Sequence, residues 1–334
     1  MRVLVVHPGP HFSVGDVHRG WVKGLRANGC QVLDFNLNDR LDFYDKVHMP
    51  VGDTYEKPLV LEQALQLANE GILNCCYRFW PDVVLVVSGF YVLPELFPII
   101  RARRHRLVML HTESPYEDQR QIGLAEQVDL NVVNDPTNIE AFPAGTLYMP
   151  HAYDPDVHHP GPSDEKCDFS FVGTGYPSRR EFFEAVDWTG IDALFGGNWQ
   201  DLTPDSPLYG FVGHDLAECM DNATTADVYR GSAASANLYR TEAQAAHLSH
   251  GWAMGPREVE LAACGTFYLT EARGENREVL PMVPTFDSPE DFGDKLRWWL
   301  AHPDNRGQVA REAREAIADR TFANHAARLL QHLT

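Results

Sequence analysis

The run Pro81-Asp-Val-Val-Leu-Val-Val-Ser88 places five apolar, mostly β-branched residues in succession. A strand with apolar residues on both faces has to be covered on both, which is the situation of a strand inside a parallel sheet. Parallel neighbours cannot be joined by a hairpin, so the surrounding chain must supply helical crossovers. The first half of the sequence has that alternation. A strand is expected over residues 3–7, a helix over 17–28 ending at Gly29, and a second strand over 31–36. Helical periodicity follows over 59–73, and further strands over 107–111, 130–133 and 145–149. A polar stretch with three prolines, residues 154–166, reads as a linker. The pattern then restarts, with strands over 169–172, 192–195 and 233–239, a helix over 178–186, and mostly helical segments over 289–301 and 304–333. The expected fold class is α/β, with two Rossmann-like domains over 1–153 and 167–334 facing each other across a cleft.

At 334 residues the chain is long enough for two such cores. Its formal net charge is −19, with the acidic residues spread along the chain. That opposes non-specific binding to nucleic acid or to an anionic membrane, because cationic contacts supply most of such affinity. The one basic cluster, Arg101-Ala-Arg-Arg-His-Arg106, reads as a solvated helix end, with an acidic acceptor or partner surface as the alternative. Six cysteines without framework spacing indicate free thiols. The first residues read as a strand and not as a signal peptide, so a cytoplasmic location without a membrane span is expected.

The segment Gly255-Pro-Arg-Glu-Val-Glu-Leu-Ala-Ala-Cys-Gly-Thr-Phe-Tyr-Leu-Thr270 carries the chemistry. A charged helix stops at Gly265, a residue suited to the left-handed position after a helix end, and an apolar strand follows. In an open α/β sheet this puts Arg257 and Glu260 beside the strand ends where such sheets bind ligands. An arginine there can fork onto a phosphate, and a carboxylate can accept the hydroxyls of a ribose. Gly173-Thr174-Gly175 lies between a strand and a helix, where backbone amides can meet a diphosphate, and Arg179 follows it.

The Arg-x-x-Glu-x-x-Ala-Cys-Gly pattern, followed by Pro289-Glu-Asp-Phe-Gly-Asp-Lys-Leu, resembles the C-terminal half of CgeB-like (spore-maturation type) glycosyltransferases of the GT-B superfamily. Residues 168–179, 149–155 and 301–306 extend the resemblance, which covers the chain from about Leu147 onward. It implies a GT-B fold whose last helix packs back on the N-terminal domain. It also implies a nucleotide-diphosphate sugar, such as a UDP-sugar, as donor, with no cofactor or metal required. Gly173, Thr174, Gly175, Arg179 and Arg257 would then line the phosphates, and Glu260 would hold the ribose. Many retaining relatives carry a second, earlier glutamate; here that position is Trp252, so inversion and retention both stay open.

The turn Gly274-Glu-Asn-Arg-Glu278 can direct amides and a carboxylate at a donor sugar, which makes Gly274 and Glu278 candidates and Glu271 a neighbour. On the acceptor side, His11 and Asp16 lie in the loop after the first strand, and either can act as general base. Glu113 in His111-Thr-Glu-Ser-Pro-Tyr116 is the favoured base, since relatives often have an acid at this place. The spacing of His7, His11 and His18 does not suit a metal site. The leading expectation is sugar transfer to a protein, glycan or small-molecule acceptor. A nucleotide-sugar epimerase and a silent binding protein are the rivals. A bacteriophage-type DNA-base glycosyltransferase is disfavoured by the charge.

Overall fold

The computed structural model describes residues 1–10, 12–46, 49–51, 54–57, 59–161 and 166–333. Contacts divide the chain into two compact units, Met1–Met149 with Phe322–Thr334, and Pro150–Thr321.

The first unit is built on β1 (Arg2–Val6), β2 (Gln31–Phe35), β5 (Val83–Val87), β6 (Arg106–His111), β7 (Leu130–Val133) and β8 (Leu147–Tyr148). These form one sheet in the order β2-β1-β5-β6-β7-β8, parallel throughout. The apolar run over 83–87 is β5, buried along its whole length between β1 and β6. Helices α1 (Phe12–Ala27), α2 (Leu37–Asp45), α3 (Leu61–Phe79), α4 (Leu96–Ala102) and α5 (Asp118–Ala125) supply the crossovers, and β3 (Met49–Val51) and β4 (Thr54–Glu56) form an antiparallel pair beside them. The strand order reverses between β1 and β5, so the crevice at their C-terminal ends is this unit's natural ligand position.

The second unit repeats the scheme with β9 (Cys167–Val172), β10 (Ala193–Gly196), β11 (Ser232–Asn237) and β12 (Tyr268–Thr270), parallel in the order β10-β9-β11-β12. Its helices are α6 (Pro177–Glu184), α7 (Asn222–Arg230), α8 (Pro256–Cys264), α9 (Gly274–Val279), α10 (Pro289–Leu300) and α11 (Pro303–Ala316). One face of the sheet is covered by an aromatic core in which Phe169, Phe171, Phe183, Phe195 and Phe292 are fully buried. As the sequence implied, α8 ends at Gly265 in the left-handed conformation, with φ of 71°.

The chain returns to the first unit through α12 (Phe322–Gln331). This last helix packs on α1, as expected from the resemblance. Trp21 meets the Phe322 ring edge-on at 6.5 Å, and Asn28 Nδ2 donates to the Ala323 carbonyl at 2.8 Å. Gly20 and Gly24 permit the close approach, since a Cβ on either would overlap Phe322.

Candidate active site

In the second unit the strand order reverses between β9 and β11, and Arg257 sits on that switch point. Pro256 and Arg257 open α8. The guanidinium donates from Nε to the Val172 carbonyl at the end of β9 (3.0 Å) and from Nη1 to Asn237 Oδ1 at the end of β11 (3.1 Å). It lies over the Phe171 ring, 4.4 Å from the centroid. One side chain thus ties both strand ends and holds a positive charge in the crevice where open α/β sheets take their ligands. Gly173 makes room for it, because a Cβ there would overlap Arg257 Nη2.

The glycine loop does something other than expected. The amide of Gly173 donates to Gly196 O (2.9 Å) and that of Gly175 to Asn198 O (2.8 Å), so both are taken up by the neighbouring β10 segment and do not point at a diphosphate. Thr174 is exposed between them. Arg179 is buried, donating from Nε and Nη2 to the Leu238 carbonyl (3.2 and 2.8 Å) and from Nη1 to the Thr174 carbonyl (3.0 Å). It fastens the glycine loop to the end of β11.

The two glutamates of α8 differ in environment. Glu258 is fully buried and accepts from Gly255 N (3.0 Å), Thr270 Oγ1 (3.0 Å), Asn276 Nδ2 (3.2 Å) and the Tyr239 hydroxyl. Burial pushes its carboxyl above the ordinary range, opposed by those hydrogen bonds. Burial and the charge of Glu258 together push the Tyr239 phenol well up. Glu260, one turn after Arg257 in α8, is half-buried, and its carboxylate makes no hydrogen bond or ion pair with the described residues. Both Arg257 and Glu260 lie within electrostatic reach of the buried Tyr229 hydroxyl.

Beyond β12 the chain turns at Gly274 into α9. Trp252 packs so closely over Gly274 that a Cβ there would overlap the indole Nε1, and the Trp252 carbonyl accepts from Glu275 N at 3.0 Å. Glu275 in turn accepts from Met254 N (2.7 Å) and pairs with Arg320 in a buried ion pair of 2.8 Å. Glu278 is exposed on α9. Glu271 accepts from Tyr239 N (2.7 Å), and burial raises its carboxyl. Arg273 lies 3.5 Å over the Tyr239 ring, and Arg240 lies 6.0 Å from the Tyr176 ring centre. Asn237, Tyr239, Arg240 and Glu258 were not singled out in the sequence. Only Glu258 had a local signal there, a glutamate three residues after the start of a Gly-Pro helix opening.

The base candidates belong to the first unit. Glu113 is half-buried just beyond β6, its amide donating to Gln121 Oε1 at 3.1 Å. Asp16, in the first turns of α1, is paired with Arg19. His11 lies outside the described residues. At the switch point of this sheet the structure adds His7, whose Nδ1 accepts from Gly9 N at 3.1 Å and whose ring meets His18 edge-on at 4.8 Å. Burial, then the neighbouring His18, lowers the His7 imidazole to about 4. Ser88 and Gly89 follow β5 at the same edge, both with positive φ. Among the described residues no cluster of three or more metal-ligating side chains forms.

Residues 179–331 match the family model described as glycosyl transferase-like, a little under half of the chain. No curated protein matches the sequence. Solved structures match over the full length. The sucrose-phosphate synthase of Thermosynechococcus elongatus is 14% identical with a TM-score of 0.68, covering 100% of this chain and 99% of that one. An α-glucosyltransferase in complex with UDP is 12% identical with a TM-score of 0.64, at 100% and 99% coverage. A UDP-N-acetylglucosamine 2-epimerase assigned as putative, from Listeria monocytogenes, is 14% identical with a TM-score of 0.59, at 98% and 94% coverage. The chain therefore has the GT-B fold of two Rossmann-like domains, with a glycosyl transferase-like C-terminal region. No helix among the described residues is long and apolar enough to cross a membrane.

Proposed function

We propose that this protein transfers a sugar from a nucleotide-diphosphate sugar, with a UDP-sugar as the first donor to test, to an acceptor held by the unit Met1–Met149. The observation that carries the reading is Arg257 fixed on the switch point of the second sheet, with the carboxylate of Glu260, unbonded among the described residues, one turn further along α8. A departing diphosphate accumulates negative charge in the transition state, and a pre-placed guanidinium stabilises it without reorganisation. Glu260 accepts the ribose hydroxyls. Gly173, Thr174 and Gly175 form the loop beside the phosphates, Gly173 admitting the Arg257 guanidinium, while Arg179 holds that loop in place. Gly274 and Glu278 border the sugar, with Trp252 filling the place of the second glutamate. This assignment uses no metal or cofactor.

Glu113 is the proposed base for an inverting transfer, with Asp16 and His11 as alternatives. The subtype that the Arg257-to-Gly265 motif favours is CgeB-like. Acceptors of low charge, such as a protein, a glycan or a small molecule, suit a chain of net charge −19 better than nucleic acid does. A 2-epimerase on the same fold is the second reading, supported by the structural likeness to one.

The test is to incubate the protein with a panel of nucleotide sugars and follow the nucleoside diphosphate and the sugar. Slow release of nucleoside diphosphate without acceptor, accelerated by an acceptor, supports transfer. A stereochemically altered nucleotide sugar or free epimer supports the epimerase. Binding with neither product makes the chain a silent binding protein.

A further inference from the structure

The basic run Arg101–Arg106 is only one part of a larger surface. The structure brings it to the N-terminal edge of the first sheet, opposite the strand ends that carry the base candidates. Arg106 begins β6 and Arg2 begins β1, while α3 and α4 end at the same edge. Tyr77 is 56% exposed, Trp80 53% and Ile99 38%, so this edge leaves three large apolar side chains in solvent.

These residues share the C-terminal ends of α3 and α4 and the segment that leads into β6. The Arg103 guanidinium lies 4.3 Å over the Tyr77 ring and donates from Nη1 to the Ile99 carbonyl at 2.9 Å. Trp80, in the left-handed conformation that ends α3 (φ 50°), meets the His105 ring edge-on at 5.1 Å. Arg78, Arg101 and Arg104 are exposed around them. Asp129 neutralises one arginine through a 2.9 Å pair with Arg101, and Asp82 accepts from the amide of Arg2. Arginines at the ends of α3 and α4 also complement the helix dipoles, which explains Arg78 and Arg101 but not three exposed apolar side chains. On a chain of net charge −19 this is a local inversion of sign.

Arginines interleaved with exposed tryptophan, tyrosine and isoleucine match the boundary of a lipid bilayer, where aromatic rings sit at headgroup level and cations face anionic lipid. Phosphate backbones would use the arginines and rings, but they give no use to Ile99. Next to the patch, Arg78 and Phe79 also line a cavity of about 710 Å³ whose other walls include Arg40, Tyr44 and Asn74. We propose that this edge of the first unit is a peripheral docking surface for an anionic lipid bilayer, in which Trp80 and Tyr77 enter the interface and the arginines face the lipid headgroups.

The test is co-sedimentation of the full chain with vesicles of phosphatidylcholine alone or mixed with phosphatidylglycerol, alongside a single-stranded oligonucleotide. The expected result is binding to the mixed vesicles only, weakened by salt and at least tenfold weaker in the combined variant W80S/R103Q/R104Q. The single variant W80S, with unchanged melting temperature, should already weaken vesicle binding severalfold. Equal binding to neutral vesicles, no binding to either, or wild-type binding in a folded triple variant would overturn the proposal. Retention of the oligonucleotide in place of the vesicles would overturn it in favour of a nucleic-acid surface. None of the substituted residues belongs to the proposed transfer site, so a failure here is separate from a failure of the transfer reading.

Discussion

Replacing each of the two glutamates of α8 by alanine should give opposite results. Glu258→Ala removes a buried acceptor with four donors. Thr270 Oγ1 and Asn276 Nδ2 each have a second partner in the Glu271 carbonyl, at 3.1 and 2.8 Å, so they are only partly orphaned. Gly255 N and the Tyr239 hydroxyl lose their acceptor outright. At about 1–3 kcal/mol for each stranded donor, less what is regained by no longer burying a carboxyl, the loss should be about 2–4 kcal/mol. For a domain of this size that is a fall in Tm of roughly 5–15 °C. Glu260→Ala removes a half-exposed carboxylate that makes no hydrogen bond to the described residues, and its stability should stay within about 0.5 kcal/mol of wild type. Its effect should appear in nucleotide affinity, where losing a charged acceptor for ribose hydroxyls costs about 1.5–3 kcal/mol, roughly 10- to 100-fold. Scanning calorimetry and nucleotide titration on the two variants read both quantities. A stable Glu258→Ala, or a Glu260→Ala that unfolds early and binds nucleotide normally, would refute the division of labour.

Three further outcomes follow from named contacts. His111 is buried, and since Asn131 Nδ2 donates to the Ala125 carbonyl, its Oδ1 accepts from His111 Nε2 at 2.8 Å. The bare Nδ1 has no partner among the described residues, and burial lowers the imidazole from 6.5 to about 4. The unfolded chain therefore takes up a proton that the folded one refuses. This stability is whole above pH 6.5 and is lost as pH falls towards 4, by about 3 kcal/mol at 1.36 kcal/mol per unit. His111→Gln should flatten that part of the pH–stability curve, and parallel curves would contradict it. Gly274→Ala should cost about 1–3 kcal/mol by forcing Trp252 aside, read as a lower Tm; an unchanged Tm would show that the indole moves freely. Glu113→Gln should retain donor binding and lose most of the transfer rate, about 100-fold or more; full activity would pass the base role to Asp16 or His11.

What the sequence made legible was set by how local each signal is. The apolar runs of β5 and β6 and the Cys264-Gly265 stop of α8 act within a few residues, and they read directly as a doubly wound architecture. Helices α2 and α4 were not anticipated. The first is nine residues long with only Leu37 and Leu41 buried, and the second has seven and contains Pro98, so neither carries a long apolar periodicity. At the site, Arg257 and Glu260 are legible as a pair, whereas the sequence around Glu258 shows only its bond to Gly255 N, since its other three partners come from β12 and from the segments that follow β11 and β12. Likewise, nothing near Gly173 and Gly175 in sequence shows that the carbonyls of Gly196 and Asn198 take their amides. Parallel neighbours are distant in the chain, so satisfaction of a loop by the next strand is visible only in three dimensions.

The most direct measurement of the nucleotide-sugar account is a calorimetric titration of the protein with uridine, guanosine, thymidine and adenosine diphosphates, repeated on Glu260→Ala. The account predicts saturable one-to-one binding of at least one of them, a stabilisation of roughly 2–4 kcal/mol when that ligand is held at about 100–1,000 times its Kd, and binding at least tenfold weaker in the variant. No heat with any of the four, or the same affinity in Glu260→Ala, would contradict it.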